Sequence, residues 1–272
     1  MIVVDTLNFL INSPISVQNS KILTLGNPFI HQGIFQSNIL TLENKNKLRL
    51  IEKNKQIRVL LEDILGANKI DILDISVEEG ADILADFNKP INNINFKYEY
   101  DLILDFGTSE HVFNRNVVLE NIFKLLKKGG IYIFHLPAGG QLDHGFIQYS
   151  PTFMYDFCFA NRGTLSLLHL SLFNSKLKKG ISTLPLYESL DKDYELVVEK
   201  NSKKFDINTI NLERLTGTSY TLLNFLPTLM LLGAIKKNKD SSINHDVIQC
   251  IYRNMSLDNF FPTSKRKINN YK

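Results

Sequence analysis

At 272 residues, with 44% hydrophobic and 22% charged side chains, the chain has the composition of an ordinary globular protein large enough for one sizeable core. A net charge of +3 is too small to point to nucleic acid or an acidic membrane surface, and the only basic cluster, "SKRKINNYK" from Ser264, reads as a solvated end. Cys158 and Cys250 follow no CxxC spacing and fit two free thiols in a reducing compartment. The start "MIVVDTLNFLINSP" lacks a basic leader and holds Asp5 and Pro14. The most apolar run, Tyr220 to Ile235, is interrupted by Pro227 and falls short of the ~20 residues of a spanning helix. A cytoplasmic location is expected.

Strands and helices alternate through the first 160 residues or so. "KILTLG" is an apolar strand ending at Gly26. A helix is expected from Glu43 to Leu65, with Ile57, Leu60, Leu61, Ile64 and Leu65 on one face and Gly66 ending it. "KIDILDI" is the second strand, "ADILADF" the third and "YDLILDF" the fourth. "NRNVVLENIFKLLKKGG" is an amphipathic helix closed by two glycines, and "IYIFHLP" is the fifth strand. Apolar strands without clean alternation, separated by helices, predict a parallel sheet covered on both faces.

Beyond Pro151, "TFMYDFCFANRG" reads as a helix and "TLSLLHLSLF" as a strand. The polar stretch from about Lys176 to Thr216, with an isolated strand-like "YELVVEK", reads as an insertion or cap. It would cover the site or meet another subunit of a homo-oligomer. "TLMLLGAIKK" is expected to return to the sheet, and "HDVIQCIYRNM" to close the chain as a helix. No boundary separates independent domains, so one domain over 1–272 is expected.

Ligands of open parallel sheets bind beyond the carboxyl ends of the strands, so the chemistry is sought there. The first strand ends in Gly26-Asn27-Pro28, where a glycine lets a ligand approach the backbone. The second ends in Asp74, which either accepts hydrogen bonds from both ribose hydroxyls or, with Ser76 and Glu79 in capping-box spacing, caps a following helix. Asp86 and Phe87 close the third strand, a polar edge and an aromatic face suited to a purine or to a turn before Pro90. The fourth delivers "LILDFGTSEHVFN", with Asp105 and Gly107 at the pocket floor and Glu110-His111 entering the next element. The fifth opens into "HLPAGGQLDHGFIQYSP", a long loop carrying Asp143, His144 and Tyr149 at the same edge.

In family order, "ILTLGNP", "KIDILDISVEEGADILADFNKP", "YDLILDFGTSEHVFN", "LLKKGGIYIFHLPA" and "HGFIQYSPTFMYDF" resemble class I S-adenosylmethionine-dependent methyltransferases over about residues 20 to 160. "HGFIQYSP" is similar to a subgroup associated with sugar or surface-glycan pathways. The resemblance implies a Rossmann-like doubly wound, mostly parallel α/β sheet with a C-terminal insertion or cap. It implies S-adenosylmethionine as cofactor, with S-adenosylhomocysteine as product. Leu25, Gly26 and Asn27 would border the methionine part, Asp74 the ribose, and Asp86 and Phe87 the adenine. Asp105, Phe106 and Gly107 would pass beneath the sulfonium. The departure is a glycine-poor first loop, in which Gly26 is followed by Asn27-Pro28 and the next glycine is Gly33.

The implied acceptor is a small molecule, a hydroxyl of a sugar or nucleotide-linked saccharide, which must lose a proton. His144 is the preferred base and His111 the second, since imidazole titrates near neutrality. Glu110, Asp143 and Tyr149 would meet the substrate, and no metal is expected. The rival reading is a catalytically inactive binding or partner subunit of the same fold. An NAD-dependent oxidoreductase lacks its GxGxxG after the first strand. Nucleic-acid methylation lacks both the charge and an NPPY-type or Pro-Cys motif.

Overall fold

The computed structural model describes residues 1–13, 15–94, 96–140, 144–173, 183–188, 228–244 and 247. Its strands are β1 (Lys21–Leu25), β2 (Lys69–Asp74), β3 (Ile83–Leu84), β4 (Tyr100–Asp105), β5 (Leu126–Gly139), β6 (Thr164–Phe173), β7 (Thr183–Glu188) and β8 (Thr228–Lys236). They form one eight-stranded sheet in the order β3-β2-β1-β4-β5-β8-β6-β7. The pairings from β3 through β5 are parallel, and β8 lies antiparallel between β5 and β6. β6 therefore shares the direction of β1 to β5, and β7 and β8 oppose it. The order reverses between β1 and β4, the switch point of a doubly wound fold.

Successive strand residues face opposite ways, and here both ways are dry. Leu23 and Leu25 of β1 and Phe134 and Leu136 of β5 join one apolar cluster, whereas Ile22 of β1, Leu104 of β4 and Ile133 of β5 join the other. The first cluster is covered by α5 (Arg115–Leu125) and α6 (Pro151–Ala160). Burying both faces explains the unbroken apolar runs and confirms the doubly wound, mostly parallel sheet.

The second face is covered by α1 (Val4–Asn12), α2 (Gln32–Gln36), α3 (Leu42–Arg49) and the segment that begins with α4 (Gln56–Arg58). α1 has no counterpart among the expected elements. The helix expected from Glu43 to Leu65 is broken. α3 ends at Arg49, Leu50 is 87% exposed, and the chain restarts through a 3-10 turn into α4 and a π-helical Val59–Ile64. Gln56 stitches the break, donating to Leu48 O and Ile51 O. α3 buries only Leu48, so it lacks the apolar stripe that a single long helix would need.

Two further boundaries differ. "ADILADF" pairs with β2 only at Ile83 and Leu84. The two glycines expected to cap α5 belong to a bulge in β5, because Tyr100 pairs with Leu126 and Leu102 with Ile131, and α5 ends at Leu125. Gly129 has φ +84 there, and a Cβ on Gly130 would stand 2.9 Å from Tyr100 O. α6 starts as its sequence suggests, with Pro151 in the first turn and Ser150 Oγ accepting from Phe153 N. β6 and β8 fall on the expected strands. "YELVVEK", "HDVIQCIYRNM", Cys250 and the basic tail lie outside the described residues, apart from Val247. Among the described residues no helix is long and apolar enough to cross a membrane.

Candidate functional site

At the carboxyl edge the ends of β1, β2 and β4 meet. Gly26 follows β1 with φ +70, and a Cβ there would lie 2.6 Å from Thr108 Oγ1 and 3.6 Å from Asp74 Oδ2. Thr108 Oγ1 donates to Leu25 O, which ties the β4 loop across to β1. Asp74 Oδ1 accepts from Ile75 N and Ser76 N, while Oδ2 accepts no hydrogen bond among the described residues. No helix follows Asp74; Val77 to Gly80 form a turn instead, and Ser76 Oγ accepts from Glu78 N within it, while Asp74 holds the two amides that lead into it. Asn27 Nδ2 donates to Asn54 O and Glu79 O, and its Oδ1 is buried without a partner among the described residues.

The end of β3 is organised differently. Asp86 Oδ1 accepts from Asn88 N and Nδ2, and the Lys89 ammonium stands 3.3 Å from the carboxylate. The Asn88 backbone bond, assisted by these neighbours, holds the Asp86 carboxyl below its usual range. Phe87 is turned into the apolar cluster beneath α5, and Asn88 Oδ1 accepts from Asn114 N.

Asp105 at the end of β4 is fully buried. Its Oδ1 accepts from Thr108 N and Ser109 N at 3.2 Å each, and its Oδ2 from Tyr132 OH at 2.8 Å. Burial pushes this carboxyl up, against the downward pull of those hydrogen bonds. Asp105 thus shapes the Phe106-Gly107-Thr108 turn, where Phe106 is buried and Gly107 has φ +95. Phe106 O accepts from the Met1 amino group.

The turn leads into a 3-10 helix, Ser109–His111, on which the loop after β5 is laced. Phe146 N and Ile147 N both donate to Glu110 O, and a Cβ on Gly145 would stand 2.8 Å from that oxygen. Only a glycine lets the loop come so close. Tyr149 is buried, its N–H donating to Pro137 O and its hydroxyl to Ser109 O at 3.4 Å. Burial is the main reason that its phenol is pushed well above the usual range.

This lacing brings Glu110, His111 and His144 together. Glu110 Oε1 lies 3.6 Å from His144 Nε2 and 3.9 Å from His111 Nε2, and the two rings meet edge-on at 4.7 Å. Glu110 is 1% exposed and both imidazoles are half exposed. Burial, then the charge of Asp105, pushes the Glu110 carboxyl up to about 8. Burial, then His144, pushes His111 down. Asp143 lies outside the described residues.

Sequence reasoning assigned nothing to Thr108, Tyr132 or His135. Thr108 stands in the turn already singled out, and Tyr132 alternates with Phe134 toward the face on which Asp105 needs a donor. His135 is a polar residue within an apolar strand. It is 3% exposed, Nε2 has no partner among the described residues, and burial pushes the imidazole down to about 3.

No family model matches the chain, and no curated protein matches it. Among solved structures, it is similar to StiE O-MT residues 961–1257 at 14% identity and TM-score 0.45, covering 87% of this chain and 75% of that one. It is similar to coclaurine N-methyltransferase bound to N-methylheliamine and SAH at 12% identity and TM-score 0.46, covering 86% and 70%. It is likewise similar to the N-methyltransferase NodS from Bradyrhizobium japonicum WM9 at 10% identity and TM-score 0.42, covering 85% and 83%.

Proposed function

We propose that the chain is an S-adenosylmethionine-dependent methyltransferase acting on a small molecule, with a hydroxyl of a sugar or nucleotide-linked saccharide as acceptor. The observation that carries this reading is the convergence of Gly26, Asp74 and Thr108 at the switch point between β1 and β4. It joins the sequence resemblance, whose segments supply these same edges.

The residues present fit the cofactor. Asp74 Oδ2 is an unengaged carboxylate oxygen where a ribose would need an acceptor, and Asn27 Oδ1 is a buried acceptor without a donor. Leu25, Gly26 and Asn27 would hold the methionine part and Asp74 the ribose. Asp86, on the outer side of the β3 end, and Phe87 behind it would bound the adenine. Phe106 and Gly107 would present backbone beneath the sulfonium, held in shape by Asp105. The cofactor supplies an activated methyl on a positive sulfur.

The chain's own task is then to align an acceptor, an effect worth about 7–11 kcal/mol, and to remove its proton. His144 is half exposed and would take a hydroxyl proton, with Glu110 Oε1 3.6 Å from its Nε2 to favour the imidazolium when that carboxyl is ionised. His111 stands beside it as the second candidate, and Tyr149 bounds the substrate side.

Isothermal titration calorimetry with S-adenosylhomocysteine tests the cofactor half. Saturable binding supports the reading, and no binding by the wild-type chain overturns it in favour of an inactive partner subunit. Incubation with S-adenosylmethionine and a panel of nucleotide sugars, read by mass spectrometry, tests the acceptor.

A further inference from the structure

We propose that Glu110, His111 and His144 form a binding site for one first-row divalent cation of the zinc class. One carboxylate oxygen and two imidazole nitrogens lie within 4.8 Å of one another. Zinc bonds of 2.0–2.2 Å to such atoms place tetrahedral ligands about 3.4 Å apart. The 3.6 and 3.9 Å separations from Glu110 Oε1 are within about half an ångström of that span. The adjustment falls on the half-exposed imidazoles, since Glu110 is anchored in the interior.

Two further features point to a bound ion. Glu110 Oε2 is buried with no hydrogen-bond partner among the described residues, on a side chain only 1% exposed. The other oxygen, Oε1, faces both imidazoles, and an ion held there would stabilise the charged form of a carboxyl that burial otherwise favours as the neutral acid. The second is how the ligands are held. The loop carrying His144 is bonded through Phe146 N and Ile147 N to the carbonyl of Glu110 itself, so the ligands are assembled before any ion arrives.

Two imidazoles and one carboxylate, with coordination positions left over, are the donor set of a catalytic rather than a structural site. The ion would take three protein ligands and leave room for an oxygen from water or acceptor. With the ion bound His144 would be a ligand, and the acceptor's proton would pass to water; the base role proposed above belongs to the metal-free protein. The inference stands apart from methyl transfer, because ion binding is measured without cofactor or acceptor.

The test uses the full chain, stripped with a chelator and titrated with zinc chloride in competition with a chromophoric chelator. Cobalt chloride with visible absorption reports the coordination. One equivalent bound at micromolar affinity or tighter, weakened by about tenfold or more in His144→Ala, His111→Ala and Glu110→Gln, is expected. Both histidines are half exposed, so their variants stay informative if Glu110→Gln does not fold, which circular dichroism checks. No bound equivalent, or equal affinity in the wild type and the two histidine variants, overturns the site. S-adenosylhomocysteine binding by the metal-free wild-type protein, measured separately, reports the proposed cofactor site independently of the ion.

Discussion

The hydroxyl of Thr108 sits where a side chain on Gly26 would have to go. A Cβ at Gly26 would approach Thr108 Oγ1 to 2.6 Å, and the same hydroxyl donates to Leu25 O just before the glycine. β1 and β4 are thus fastened to each other at the edge that faces the proposed cofactor. Gly26 is required twice over, by this contact and by φ +70.

Gly26→Ala is therefore expected to cost about 3 kcal/mol, of which about 1–2 is left-handed backbone strain and the rest the collision. Thr108→Ala alone should cost about 1 kcal/mol for its hydrogen bond. In that background Gly26→Ala should cost only the strain. Urea unfolding of the four proteins measures the coupling, and strictly additive losses would show that the two residues are not in contact.

Asp74 commits one oxygen to its own loop and leaves the other, Oδ2, for the proposed ribose. Asn at this position keeps the Oδ1 acceptor for Ile75 N and Ser76 N, but loses the charge and the free Oδ2. Asp74→Asn should leave stability within about 0.5 kcal/mol of the wild type. It should weaken S-adenosylhomocysteine binding by about 10- to 100-fold, the worth of a charge-assisted hydrogen bond. Calorimetry paired with thermal melts separates the two effects. Unchanged affinity would remove Asp74 from the ribose.

Most of the sheet was legible in the sequence because both its faces are dry, which leaves runs such as Ile22-Leu23 in β1 and Leu102-Ile103-Leu104 in β4 without the alternation of a half-wet strand. What stayed hidden depends on partners distant in the chain. Gly129-Gly130 looks the same as a helix cap or as a bulge, and only the pairing of Leu126 with Tyr100 and of Ile131 with Leu102 decides. The break after Arg49 escaped because the apolar face read for the helix lies wholly between Ile57 and Leu65. In the site, Glu110 and His111 were legible as neighbours, and His144 as a polar residue at the same edge. That the three meet follows from a hydrogen-bonded loop crossing to Glu110 O, which no local pattern encodes.

Gly233 and Phe134 face each other across the β5–β8 pairing, and a Cβ on Gly233 would stand 2.2 Å from Phe134 Cζ. The ring lies directly over the glycine backbone and is completely buried. Glycine inside a strand commonly marks such a close approach. Gly233→Ala should cost about 3 kcal/mol through overpacking. Phe134→Leu, itself destabilising by leaving a cavity, should reduce that cost when combined with it. Denaturant titrations report both, and a Gly233→Ala variant within about 0.5 kcal/mol of the wild type would refute the register of β8.

His135 sets an acid limit on stability. Its imidazole is buried with Nε2 unpartnered and takes a proton only near 3, against an ordinary value of 6.5. Between those values the unfolded chain binds the proton and the folded chain does not, so this residue's contribution to stability falls as pH falls. It is fully present above 6.5 and reduced by about 2 kcal/mol at pH 5. Other groups titrate over the same range, Glu110 among them with the opposite sign because its carboxyl is pushed up to about 8. The quantity to follow is thus the difference between wild type and His135→Leu. At pH 7.5 the two should be close, since the apolar replacement also removes an unsatisfied polar atom. By pH 5 the leucine variant should be the more stable by about 2 kcal/mol in urea titrations. A difference that does not change with pH would mean that the imidazole is solvated or paired in the folded chain.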